Sequence, residues 1–152
     1  MRYFPTLVVF CFFFFVSLSA SGQDSSYETA TNGSRYLEFG GGAFSFKILV
    51  EEANLGGKEV EIAETSFAPG YNGRGHAHGS VEIFYVLSGE FEHTVNGDAT
   101  LLTPGMIGIV RPGDEVIHRV PSEDTPARVL IIWAPGGEVE RALGGATERA
   151  IN

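Results

Sequence analysis

The chain has 152 residues, with 10 Lys and Arg against 19 Asp and Glu, so its formal net charge is −9 at pH 7. That length allows one domain with a modest core, and the acidic balance argues against nucleic acid or an anionic membrane surface as a partner. A single cysteine, Cys11, excludes an internal disulfide.

Residues 1–22 are unlike the rest. Arg2 precedes the run Leu-Val-Val-Phe-Cys-Phe-Phe-Phe-Phe-Val from 7 to 16, and small residues follow, with Ala20 and Gly22 as cleavage points. A charged start, an apolar stretch and a small-residue zone are the three parts of a signal peptide. The protein is therefore expected outside the cytoplasm, secreted or periplasmic, and free of the membrane once cut. A retained anchor is the rival reading, but it needs about 20 apolar residues, and this run is shorter. Removing residues 1–22 takes away one Arg and no acid, so the formal charge moves from −9 to −10. The cysteine goes too, and a domain exported without disulfides is held by its core, with metal and oligomerisation as further sources of stability.

Residues 23–42 are assigned to a flexible leader, because 23–34, Q-D-S-S-Y-E-T-A-T-N-G-S, are polar and aperiodic. Asn32-Gly33-Ser34 within it is a glycosylation acceptor sequence in an organism that glycosylates. From residue 43 the chain becomes a series of short strand signals. Phe44 to Val50 and Glu59 to Phe67 cluster apolar and β-branched residues, with Asn54-Leu55-Gly56-Gly57 as the break between them. In the second run Val60, Ile62 and Glu64 share one face and Glu61, Ala63 and Thr65 the other, one of them the wetter.

The next stretch, Gly70 to Gly89, carries the chemistry. His76, His78 and Glu82 suit a divalent transition metal, since neutral imidazole and carboxylate together accept zinc, iron, manganese, nickel or copper. In an extended strand His76 and His78 share a face. Glu82 shares their parity, but four residues of straight strand put its Cα about 13 Å from that of His78. A reversal at Gly79-Ser80, a turn-type pair, would fold Glu82 back beside the histidines. A helix is the competing geometry and would join His78 to Glu82 at i, i+4 while swinging His76 away. Glycines at 70, 73, 75 and 79 argue against it.

Glu82 to Leu87 reads as a strand, and Phe91 to Val95 returns after a turn at Gly89-Glu90. Asn96-Gly97 between E-F-E-H-T-V and D-A-T-L-L is a strong hairpin signal. Ile107 to Val110, Val116 to Val120 and Ala127 to Trp133 add three strands, separated by Pro- and Gly-rich turns. A short helix is expected over Glu138 to Leu143. Many short strands and no long helix indicate an all-β sandwich or barrel.

The segment resembles the first motif of the cupin superfamily: Gly, five residues, His, one, His, three or four, Glu, six, Gly. Gly70, His76, His78, Glu82 and Gly89 occupy every fixed position. The resemblance implies a double-stranded β-helix, or jelly-roll barrel, over 43–143 with a short C-terminal helix and a tail at 144–152. It also implies a fourth ligand from a second motif: Gly, five residues, Pro, one, Gly, two, His, three, Asn. Here the match from Gly105 is partial. Arg111 stands at the proline position with Pro112 after it, Gly113 fits, four residues precede His118, and Ser122 replaces the Asn. An insertion of even length leaves side-chain parity unchanged, so His118 still shares a face with Val116 and Val120 and is taken as the fourth ligand.

His93 lies on the face of Phe91 and Val95, and is read either as a ligand or partner of the ligands or as a core or rim residue. Tyr85 has the opposite parity to Glu82 and is expected to pack against a second face. Trp133 is read as core, and Arg74 and Arg119 as rim charges able to meet an anionic ligand. A 3-His/1-Glu set leaves two positions of an octahedral ion open, so the resemblance implies a metal-dependent enzyme acting on a small molecule, either by dioxygen chemistry with Fe(II) or by lyase, isomerase or decarboxylase chemistry with another metal. The alternative is a non-catalytic cupin that binds or senses a small ligand. Similar proteins dimerise by exchange of an N-terminal strand, which makes a homodimer an expectation here.

Overall fold

The computed structural model describes residues 30–151; the expected signal peptide lies outside them. Eleven strands and two short helices follow in order: β1 (Arg35–Phe39), β2 (Phe44–Val50), α1 (Glu52–Leu55), β3 (Glu61–Phe67), β4 (His76–Ala77), β5 (Val81–Ser88), β6 (Phe91–Val95), β7 (Asp98–Leu102), β8 (Ile107–Val110), β9 (Glu115–Arg119), β10 (Ala127–Ala134), α2 (Glu138–Ala142) and β11 (Ala146–Arg149). The strands form a seven-stranded sheet, β11-β1-β2-β3-β10-β5-β8, and a four-stranded sheet, β4-β9-β6-β7. This is the antiparallel jelly roll expected. Among the described residues no helix is long and apolar enough to cross a membrane.

Alternation decides which side of each strand meets the core. On β3 the buried set is Glu61, Ala63, Thr65 and Phe67, while Ile62, Glu64 and Ser66 are half-buried, so the face carrying Val60 and Ile62 is the wetter one. On β5, Glu82, Phe84 and Val86 point inward. Beside them in the same sheet stand Val129, Ile131 and Trp133 of β10, paired with Val86, Phe84 and Glu82, and the facing sheet brings Phe91 on β6 and Val116 on β9 into the same hydrophobic cluster. Complete burial of a side chain such as Phe84 stabilises the fold by about 2–3 kcal/mol. The hairpin of β6 and β7 closes through Asn96 and Gly97, both at positive φ (50° and 91°). That is the turn whose twist matches its strands.

Two boundaries differ from the sequence reading. Residues 35–39, assigned to the leader, form β1 and pair with both β2 and β11, and β11 arises from the supposed tail. Leu37 is fully buried by that pairing and Phe39 nearly so, which supplies the order that a polar leader lacks. The pattern A-T-E-R of β11 carries no strand signal; a register with β1, closed by Arg149 on Glu38 at 2.9 Å, creates it.

Tyr85 also departs from expectation. It is 42% exposed on the outer face of β5, opposite Ile107 of β8, because among the described residues no second layer covers that face.

Candidate metal centre

The three ligands expected from the first motif are gathered by one change of sheet. His76 begins the two-residue strand β4, paired opposite Val116 of β9. The chain then bends at Gly79 and Ser80 and enters β5 in the other sheet. The expected change of direction therefore exists, and it brings His78 beside Glu82. Gly89, which closes the motif, has φ +77°, and a Cβ there would fall 2.3 Å from the Pro126 carbonyl oxygen. Only glycine fits such a turn.

His118 reaches the same place from β9. The loop before His76 is laced to that strand: Gly73 N–H donates to the His118 carbonyl at 2.9 Å, and Val120 N–H to the Tyr71 carbonyl at 2.8 Å. Ring centroids of His76 stand 4.8 Å from His78 and 5.2 Å from His118. Parity holds as expected, with His118 buried between Val116 and Val120.

Two buried polar atoms at the centre, His78 Nε2 and Glu82 Oε2, have no hydrogen-bond partner among the described residues. They are 3.2 Å apart but not aligned for a hydrogen bond. Two donors each 2.0–2.2 Å from one ion at a right angle would stand about 3 Å apart, so this pair fits a shared metal. The set as it stands is not closed: among the described residues no three His, Cys, Asp or Glu side chains are in ligating geometry at once. His76, exposed on its short strand, is the donor with room to turn.

The remaining atoms of these ligands are held. Trp133 Nε1 donates to Glu82 Oε1 at 2.8 Å, and His78 Nδ1 meets Glu138 Oε2 at 3.0 Å. Burial opposes a proton on His78, but Glu82 and Glu138 outweigh it and raise the His78 pKa above the ordinary imidazole value. Burial also works against the Glu138 carboxylate, yet His78, Ser80 and Arg141 hold its pKa below normal. His118 is driven the other way: burial first, then its three histidine neighbours, hold it well below the imidazole range, so it is a neutral donor at pH 7.

Beside these groups lies a cavity of about 320 Å³ walled by Phe44, Phe46, Phe67, Tyr71, Ile131 and Trp133, with Arg74 and Ala142 also on its lining. Burial raises the Tyr71 pKa, which keeps the phenol protonated. No sequence motif marks Tyr71 or Glu138. Trp133 is core, as its place on an apolar strand predicts, but its N–H also orients a candidate ligand. Nothing local marks Glu138, since its partner His78 is 60 residues away. Arg119 is engaged outside the cavity, by Asn72 at 2.8 Å and Glu92 at 2.8 Å. His93 is buried and stacked on His118 with centroids 5.6 Å apart, and burial lowers its pKa. It opens onto a different cavity of about 520 Å³ near β7 and β8, so it stands behind the site as a packing neighbour of His118.

Residues 63–133 match the model of the cupin domain family. Among solved structures, an RmlC-like cupin from Shewanella frigidimarina NCIMB 400 is 23% identical, with 76% of this chain and 95% of that one covered and a TM-score of 0.60. KdgF from Halomonas sp. is 19% identical over 68% of this chain and 89% of its own, with a TM-score of 0.58. A predicted oxalate decarboxylase from Thermotoga maritima is 22% identical over 60% and 80%, with a TM-score of 0.55. At these identities the likeness is one of fold. A comparison with curated proteins finds no match.

Proposed function

Because the chain is a small single-domain cupin, we propose that it holds a divalent transition metal on His76, His78, Glu82 and His118 and acts, as a dioxygenase-like enzyme, on a small organic molecule in the adjoining cavity. The observation that carries this reading is the buried pair His78 Nε2 and Glu82 Oε2, 3.2 Å apart and each without a hydrogen-bond partner among the described residues. Iron, manganese, zinc, nickel or copper suits such donors. A metal held by these four residues would supply Lewis acidity or, as Fe(II), dioxygen chemistry.

The chain's own residues supply binding and orientation. Trp133 and Glu138 fix the outer atoms of Glu82 and His78. The aromatic wall of Phe44, Phe46 and Phe67 excludes water and limits the substrate to a small apolar body, and Arg74 on the same lining is suited to an anionic group. Elemental analysis of the purified protein beside His76→Ala and His118→Ala tests the metal: near-stoichiometric metal that falls in both variants supports it, and no metal in any sample after reconstitution overturns it.

One observation favours the second reading, a binding or sensing module. Glu138, the other carboxylate on the cavity, already accepts from His78, Gly79, Ser80 and Arg141, and a carboxylate so occupied is a poor general base. Oxygen uptake or product formation with a bound small acid decides for the enzyme, and reversible binding without turnover decides for the module. Export rests on the apolar run at 7–16. Recovery of intact Met1 in the cytoplasmic fraction would overturn it.

A further inference from the structure

The three imidazoles of the pocket differ in what holds their Nδ1. That of His76 lies 3.1 Å from the Arg74 carbonyl oxygen, that of His118 is buried with no partner among the described residues, and that of His78 meets the Glu138 carboxylate at 3.0 Å. Glu138 also grips the bend between His78 and Glu82. Its Oε1 accepts the Ser80 hydroxyl at 2.9 Å and the Gly79 N–H at 3.2 Å, and Arg141 from the next turn of α2 closes on the same oxygen.

Helix α2 is in turn fastened to the barrel. Glu61 Oε2, on the inner face of β3, accepts the N–H groups of Glu138 at 2.9 Å and Val139 at 3.0 Å, and Val139 is 1% exposed in the core. The carboxylate is therefore delivered by a backbone with little freedom to withdraw.

We propose that Glu138 is a positioning residue of the pocket, which keeps the His78 proton on Nδ1 and so leaves Nε2 free to bind beside Glu82. A carboxylate only accepts, so the imidazole nitrogen it meets must carry the hydrogen, and the lone pair of a neutral ring is then on the other nitrogen. Without Glu138 the remaining carboxylate near the ring is Glu82, 3.2 Å from Nε2. It would draw the proton to Nε2 and block both donors together. The consequence for metal affinity rests on the proposed metal site; the control of the tautomer does not.

The test compares wild type, Glu138→Ala, Glu138→Gln and Arg141→Ala, using Zn(II) affinity by competition with a chelating dye and the ¹⁵N shifts of His78 in the metal-free protein at pH 8.5. Wild type is expected to show the Nδ1–H form. Glu138→Ala moves it toward Nε2–H and weakens Zn(II) binding by about 10–100-fold. Glu138→Gln, whose amide oxygen still accepts from Nδ1–H, recovers most of both, and Arg141→Ala stays near wild type. Wild-type tautomer and affinity in Glu138→Ala would overturn the proposal, and so would equal affinity losses in Ala and Gln with the tautomer unchanged. Wild-type protein that takes up no Zn(II) overturns the metal reading instead, and the tautomer then decides the role of Glu138 by itself.

Discussion

Trp133 Nε1 donates to Glu82 Oε1 at 2.8 Å, in a contact where both side chains are 2% exposed. The indole comes from β10 and the carboxylate from β5, on directly paired positions of adjacent strands. Every backbone hydrogen bond of that pair therefore helps to aim one carboxylate oxygen, and the other is left facing His78.

Trp133→Phe keeps most of the ring packing and removes the donor. A buried carboxylate oxygen without its partner costs about 1–3 kcal/mol, so the urea midpoint of the metal-free variant should fall accordingly. A variant within about 0.5 kcal/mol of wild type would show that the indole does not hold Glu82.

His76 and His118 should behave differently when truncated. His76 is exposed, so His76→Ala should leave metal-free stability within about 0.5 kcal/mol of wild type while removing metal-dependent stabilisation, which is about 2.7 kcal/mol at a metal concentration of 100 Kd. His118 is 5% exposed, packs tilted against Phe84 at 4.7 Å and stacks on Phe91 at 5.3 Å. Thermal melts with and without metal should show His118→Ala losing both the metal response and stability of the metal-free fold.

The metal-free protein should lose stability as pH falls below about 6.5, the unfolded histidine value. His118 and His93 have lowered pKa values in the fold, so below that pH the unfolded chain binds protons that the folded chain refuses, and each group contributes a slope of up to about 1.4 kcal/mol per pH unit. His78 has a raised pKa, and its contribution is already complete below 6.5; it is lost only as pH rises through the folded value. Urea midpoints between pH 7 and 5.5 should therefore decline, and His93→Leu should flatten the decline. An unchanged slope in that variant would contradict the assignment.

Gly108 on β8 is a close-packing position. A Cβ there would stand 2.9 Å from His93 Cδ2 and 2.9 Å from Leu102 Cδ1, so Gly108→Ala should cost about 1–3 kcal/mol by overpacking. Combined with His93→Ala it should cost less than the sum of the two single changes. Strict additivity in denaturation would show that the two do not touch in solution.

Local signals in the chain were enough to place most strands. Asn96-Gly97 marks the β6 and β7 hairpin because both residues tolerate positive φ, and parity along β9 put His118 inward before any partner was known. Gly70, His76, His78, Glu82 and Gly89 carry the resemblance to the cupin motif, and it is that resemblance that implies one barrel and one cluster.

Tertiary structure alone decided what stands behind those groups. Glu138 reaches His78 across 60 residues, and Trp133 reaches Glu82 across 51. The strand at Arg35–Phe39 exists through its pairing with β2 and with the otherwise featureless Ala146–Arg149. In each case the determining contact joins distant parts of the chain, and its energy depends on burial and on a register that only the closed barrel sets. Residue type and spacing thus nominated the candidate side chains, and the folded barrel determined which of their atoms are held and which are left free.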